Sequence, residues 1–223
     1  MNTRFTLVLV ALIIGFGGVF WFNKNKQAGT TNSSNVQPTN HIKGEGKSGV
    51  TLVEYGDFEC PACWQYEPLV TQLYEKYQKE IFFQFRHFPL TQIHQHALAG
   101  HRAAEAASKQ GKFWEMHDIL FLRGHQKDTE GKVRDTEWTA TNSPASFFEQ
   151  YAQNLGLDVP KFKADMSSAE VNDLINADKD AGNKLDLTGT PSFILNGKKI
   201  DNPRDLDSFS KIIDAAIAAA KKT

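Results

Sequence analysis

The chain holds two cysteines in 223 residues, and they stand three positions apart as Cys60-Pro61-Ala62-Cys63. A bridge between them closes too small a loop to take much entropy from the unfolded chain, so the pair reads as chemical rather than as a staple. The local pattern says where the pair sits. Residues 50–55 (VTLVEY) are short and β-branched and end at Gly56-Asp57, the mark of a strand running into a loop. From 60 to 78, apolar residues fall at Cys63, Tyr66, Leu69, Val70, Leu73 and Tyr77, which is the spacing of a helix with one buried stripe. Pro61 suits a first helical turn, where a missing N–H costs nothing, and Pro68 falls inside the same helix, where a kink is expected. The cysteines therefore open a helix directly after a strand, with Cys60 at its N-cap.

Residues 81–88 (IFFQFRHF) read as the next strand, completing a parallel, right-handed strand–helix–strand unit. A long helical stretch follows, with helices expected over 96–109, over 112–122 and over 143–155, the last with Ser143 as N-cap and Pro144 in the first turn. One or two more are expected within 161–181. Residues 192–195 and 198–200 flank Asn196-Gly197, a strong hairpin signal, and a helix over about 205–221 ends the chain. The plan is α/β with a small mixed sheet.

Ahead of this domain, residues 5–22 form an uncharged apolar run long enough to cross a bilayer, so residues 1–26 are expected to be a signal anchor, with a cleaved signal peptide as the alternative. Residues 27–40 are rich in Gly, Ser, Thr and Asn and read as a flexible linker. Residues 41–223 then form one domain, with a helical insertion over about 92–186. Flanking charges do not orient the apolar run. The domain is placed outside the cytoplasm because a two-cysteine site suits an oxidising compartment. Lys plus Arg number 25 against 26 Asp plus Glu, a balance that sets nucleic acid aside as a partner.

Thiol–disulfide exchange needs one thiolate to attack and a second thiol to resolve the mixed disulfide, and this spacing supplies both. At an N-cap the unpaired N–H groups and the helix dipole favour negative charge and lower the thiol pKa. Cys60 is therefore the expected exposed nucleophile, and Cys63, one turn in on the apolar stripe, the shielded resolving thiol. A zinc site would need further ligands. His94, His96 and His101 supply the right atom type, but their sequence positions do not bring them to the cysteines, so no metal is expected. A copper-binding thiol module stays open as another class, since soft Cu(I) accepts two thiolates.

The stretch VTLVEYGDFECPAC, with Pro68 five positions past Cys63, resembles the DsbA-like branch of the thioredoxin fold. So do FPLT at 88–91, GKFWEMHD at 111–118 and TGTPSFILNG at 188–197. On the residues alone Pro191 is a turn proline before a strand. The resemblance implies instead a cis-proline opposite the cysteine pair, with Thr190 offering backbone groups to a bound peptide. It also implies that Glu54 is a carboxylate beneath the pair that handles protons for Cys63, where the residues alone equally suit an exposed strand end. Trp64 either flanks a substrate groove or simply packs. One departure is that Ala62 stands where the more familiar oxidising members carry histidine.

The expected function is that of an extracytoplasmic dithiol oxidase passing a disulfide to cysteine-containing exported polypeptides, with a disulfide reductase or isomerase as the alternative enzyme. By resemblance, a membrane quinone-linked thiol oxidase restores the disulfide, no bound cofactor is needed, and the domain works as a monomer.

Overall fold

The computed structural model describes residues 36–222. The apolar run at 5–22 and most of the expected linker lie outside the described residues. Within them the order is β1 (His41–Lys43), β2 (Val50–Gly56), α1 (Pro61–Tyr77), β3 (Ile81–His87), α2 (Ala97–Ser108), α3 (Phe113–Gly124), β4 (His125–Lys127), β5 (Val133–Asp135), α4 (Ala145–Asn154), α5 (Val159–Met166), α6 (Ala169–Asn183), β6 (Ser192–Leu195), β7 (Lys198–Ile200) and α7 (Leu206–Ala220). Among the described residues, no helix is long and apolar enough to cross a membrane.

Five strands form one sheet in the order β1-β3-β2-β6-β7. β2 and β3 pair in parallel, as a helical crossover between them requires. The other three pairings are antiparallel. Glu54 on the central strand β2 faces Phe85 of β3 and Phe193 of β6. The β6–β7 turn is Asn196-Gly197 with φ of 47° and 79°, the two positive values that a tight primed hairpin turn demands.

Two cores flank the sheet. Val50, Leu52, Phe83, Phe193 and Leu195 pack against Val70, Leu73 and Tyr77 of α1 and Phe209, Ile213 and Ile217 of α7. Cys60, Cys63, Phe58 and Phe85 belong instead to a cluster built with the insertion, including Met116, Leu120, Phe121, Trp138 and Phe148. Trp138 is fully buried and donates its indole N–H to Leu120 O at 3.0 Å. Gly100 and Gly124 make room for its ring: a Cβ at either would lie 3.1 Å from an indole atom. The insertion is thus the roof over the redox pair.

The helices match the sequence pattern closely; one cap differs, and two short strand pairs are additional. Ser143 does not cap α4. Pro144 occupies that position, no side chain caps it, and the Ser143 N–H is taken by Thr141 Oγ1. The region 161–181 resolves into two helices because Asp158 and Ser168 each cap a separate start. Two short pairs went unread, β1 on β3 and the β4–β5 hairpin, since three-residue strands carry no measurable alternation.

The end of the expected linker is packed rather than solvated. Thr39 is buried, and its N–H reaches Asp178 Oδ1 at 2.8 Å and its hydroxyl Asp178 Oδ2. Asp178, itself fully buried on α6, also accepts from the His87 N–H at 2.9 Å and from Arg86 at 3.1 Å. One carboxylate so joins the N-terminal approach, β3 and the insertion. Asp178→Ala leaves Arg86 and two backbone-linked donors without their acceptor, and is expected to cost about 3 to 5 kcal/mol. Urea unfolding should show the lowered midpoint.

Candidate active site

α1 begins as the sequence implies. Cys60 is the N-cap with extended backbone (φ −77°, ψ 118°), Pro61 opens the helix, and no side chain caps the end. The free N–H groups of the first turn therefore face the Cys60 sulfur. Both cysteines are free thiols. The Thr190-Pro191 peptide bond is cis, and Thr190 O lies 3.6 Å from Cys60 Sγ. The structure thus brings Cys60, Cys63, Thr190 and Pro191 together from opposite ends of the domain.

Cys60 is not an exposed residue, which corrects the sequence reading. Only 6% of it is accessible, against 1% of Cys63, because the Thr190-Pro191 loop lies against the helix start. The two thiols still differ sharply. A hydrogen bond from the Cys63 thiol pulls Cys60 down to about 6 against the opposing effect of burial, with Thr190 and the Cys63 and Ala62 N–H groups adding to it. Burial drives Cys63 well above the ordinary thiol range, and the charges of Cys60 and Glu54 push the same way.

Glu54 is not an exposed strand end: it is 1% accessible, and its Oε2 has no hydrogen-bond partner. Burial raises it well above the usual carboxylate range, helped by Glu67 and opposed by Lys43. Trp64 lines a groove of about 550 Å³ with Glu67, Pro68, Asp118, Phe121 and Leu122. A second depression, about 360 Å³, lies on the Thr188–Asn202 side and includes Thr190 and Pro191.

The loop between β2 and α1 holds residues that the sequence reading passed over. Asp57 is fully buried; its N–H points at Cys63 Sγ at 3.5 Å, and its carbonyl accepts from the Cys60 N–H at 3.0 Å. Its carboxylate accepts from the N–H of Glu59 (3.0 Å) and of Leu90 (2.9 Å), and from His94 Nδ1 (2.7 Å). Burial pushes Asp57 up, but the nearby His101 ring and the bonds from His94 and Leu90 outweigh it and hold the carboxyl well below its usual range. The bond to Asp57 in turn raises His94 against its burial.

His94 and His101 thus do come to the loop beside the cysteines, contrary to expectation, but their ring nitrogens serve Asp57 and His87. His96 instead gives its backbone N–H to Glu59 at 2.6 Å. His125 donates its Nε2–H to the Glu59 carbonyl oxygen at 3.1 Å. Glu-Asp spacing before the cysteines was the available signal, yet it names no partners. Among the described residues, the histidine clusters compact enough to share an ion are His41/His87/Glu105 and Glu67/His117/Asp118, and neither contains a cysteine.

Residues 36–215 match the family model described as thioredoxin. The chain belongs to the thioredoxin family. Within that family it is DsbA-like, in the branch of thiol–disulfide oxidoreductases. A probable disulfide bond formation protein D of Bacillus cereus is 31% identical over 210 residues, covering 92% of this chain and 91% of that protein. The solved structure of oxidised BdbD from Bacillus subtilis shares the fold with a TM-score of 0.66 at 22% identity, covering 82% of this chain and 96% of that one. A thioredoxin-like oxidoreductase from Silicibacter pomeroyi gives 0.62 at 24% identity, with 87% and 99% covered. An Na(+)/H(+) antiporter NhaA 3 of Salinispora tropica is 36% identical over 181 residues, which is 81% of this chain and 25% of the antiporter. The chain spans about a quarter of that relative's length, and ion transport is not carried over from it.

The thiol asymmetry of this thioredoxin-family site sets a pH dependence. The folded Cys60 thiol titrates below its unfolded value, so the reduced fold gains stability as pH rises past about 6. The gain is complete above about 8.5 and is lost again as pH falls through the folded value. Thiolate absorbance near 240 nm should titrate with a midpoint near 6 in the reduced protein. The step should vanish in Cys60→Ser and after oxidation.

Proposed function

We propose that the chain is an extracytoplasmic dithiol oxidase that donates the Cys60–Cys63 disulfide to cysteine-containing exported polypeptides. The observation that carries this reading is the split between the two thiols, Cys60 low and Cys63 high. Whatever stabilises the Cys60 thiolate stabilises the reduced protein, and so makes its disulfide the better oxidant. Ala62 removes the histidine of the more familiar members, yet Cys60 is still lowered, through Cys63, Thr190 and the helix N–H groups.

In the forward reaction a substrate thiolate attacks Cys60 Sγ, the Cys60–Cys63 bond breaks, and Cys63 leaves as a thiolate that takes up a proton. Glu54, protonated and buried on β2, is the proposed proton source. The second substrate thiolate then attacks the substrate sulfur of the mixed disulfide and releases Cys60 as a thiolate. Two electrons pass from substrate to the pair. Thr190 and Pro191 bind the substrate backbone alongside Cys60, and the groove walled by Trp64 and Leu122 receives apolar side chains.

The apolar run at 5–22 is the proposed anchor, with the domain on the extracytoplasmic side, working as a monomer. Return of the disulfide falls to a membrane quinone-linked thiol oxidase, on the family resemblance. The support for export is the length and apolarity of that run together with a redox pair suited to an oxidising compartment.

Equilibration of the Cys60–Cys63 pair with glutathione tests the direction. A potential above about −200 mV is expected, and one well below it overturns the oxidase reading in favour of a reductase. Cys63→Ser should accumulate a mixed disulfide when offered a disulfide-bonded peptide, because Cys60 attacks the peptide disulfide, one peptide thiol is released, and no second thiol resolves the product; it is seen as a mass increase. Glu54→Gln should slow the step in which Cys63 leaves, and with it turnover, about 10-fold or more, within the range of single proton-transfer groups.

A further inference from the structure

Behind the redox loop lies a row of buried ionisable groups that exchange chemistry as such does not use. His87 on β3 and His101 on α2 are both fully buried, with their Nδ1 atoms 2.6 Å apart. At the far end of the row His87 Nε2 meets Glu105 Oε1 at 2.6 Å, and His41 Nε2 reaches the same carboxylate oxygen. At the near end His101 Nε2 stands 3.7 Å from Asp57 Oδ1. The row therefore runs from a carboxylate, through two imidazoles, to a second carboxylate.

The protons in such a row can be counted. A neutral imidazole has one N–H and one lone pair. Glu105 is a carboxylate, held at about 2 by the His41 and His87 bonds despite the opposing effect of burial. His87 must then present N–H at Nε2. If both rings are neutral, His87 Nδ1 is a lone pair, and His101 has two choices. With its proton on Nδ1, it turns a lone pair on Nε2 toward the Asp57 carboxylate. With its proton on Nε2, it sets two Nδ1 lone pairs against each other at 2.6 Å. Either choice buries a repulsion.

We propose that His87 and His101 hold one extra proton between them, with His87 as the imidazolium, and that this buried pair keeps Asp57 ionised and so positions the loop carrying Cys60 and Cys63. His87 then donates from Nε2 to Glu105 and from Nδ1 to His101, and neutral His101 turns its Nε2–H toward Asp57. The contacts favour that division: His87 Nε2 lies 2.6 Å from the Glu105 carboxylate, whereas His101 Nε2 stands 3.7 Å from Asp57 and burial pushes His101 down to about 4. The charged or titratable groups facing the pair are Glu105 on α2, Asp57 in the redox loop, His41 on β1, and Asp178 on α6, which accepts from the His87 N–H and pairs with Arg86. His94 flanks Asp57 on its other oxygen, and the Phe58 ring lies tilted against the His101 ring with centroids 4.8 Å apart.

The consequence for exchange rests on the reading that Cys60 and Cys63 are the reacting pair. Ionised Asp57 accepts the Glu59 and Leu90 N–H groups and thereby aims its own N–H at Cys63 and its carbonyl at the Cys60 N–H. The imidazolium offsets part of the Asp57 charge, which lies close to a thiolate and otherwise has only His94 beside it. His101 and Asp57 are thus positioning residues that tune Cys60 without touching substrate.

Histidine-labelled ¹⁵N NMR of the reduced wild-type protein at pH 7 is the direct test. Two protonated nitrogens on His87 and a coupling between the two Nδ1 atoms are expected, whereas two singly protonated rings without coupling overturn the proposal. The link to the cysteines is read in His101→Gln, which cannot share the proton: the Cys60 thiolate midpoint should move up by about half a unit or more. Adding Asp57→Asn removes the Asp57 charge and should bring the midpoint back. A midpoint unmoved in the single variant, or not returned in the double, overturns the charge link; if His101→Gln fails to fold, the wild-type spectrum decides. Neither readout depends on the direction of exchange, so a low redox potential would remove the oxidase reading and leave this one standing.

Discussion

The Asp57 carboxylate ties the loop after β2 to the segment after β3, and the geometry of the redox pair depends on that tie. Its oxygens take the N–H groups of Glu59 and Leu90, which lie in different crossings of the sheet. With the side chain so occupied, the Asp57 backbone is left to serve the cysteines on both sides, by N–H to Cys63 and by carbonyl to Cys60. A buried charge is tolerated only where bonds and counter-charges repay its desolvation. Here the histidines behind the loop are those partners, which explains why so many imidazoles gather in a domain that uses cysteine chemistry.

The insertion does more than enlarge the domain. Its apolar cluster encloses both cysteines, Phe58 and the edge of β3, and Trp138 seals it through glycines on α2 and α3. The low dielectric this creates acts on the two sulfurs unequally. Cys63 lies inside it and is driven up, while Cys60 stands at the helix end, where Cys63, Thr190 and free N–H groups can hold a thiolate. One roof and one helix end thereby shift two identical side chains in opposite directions, Cys60 down and Cys63 up.

Much of this was legible in the residues. The strand at β2, the helix opened by Pro61, the parallel return through β3, and the Asn196-Gly197 hairpin all follow from patterns within a dozen positions of one another. β1 and the β4–β5 hairpin were not legible, because strands of three residues are held by their partners and not by their own alternation. Thr39 looked like linker, and only Asp178, far along the chain, makes it part of the fold.

By itself the sequence determined where the cysteine pair stands: two cysteines at helical spacing, placed at a helix start by Pro61 and a preceding strand, with Cys60 at the N-cap and Cys63 one turn in. Local periodicity and capping preferences act over short distances, so they can be read without a fold. Tertiary structure alone decided that Cys60 is covered by the Thr190-Pro191 loop, that Glu54 is buried with its carboxyl pushed up by that burial, and that His87 and His101 line up between two carboxylates. Those are outcomes of burial and of contacts between segments remote in sequence. The free energy of a charge depends on what surrounds it, and only the assembled fold supplies the surroundings.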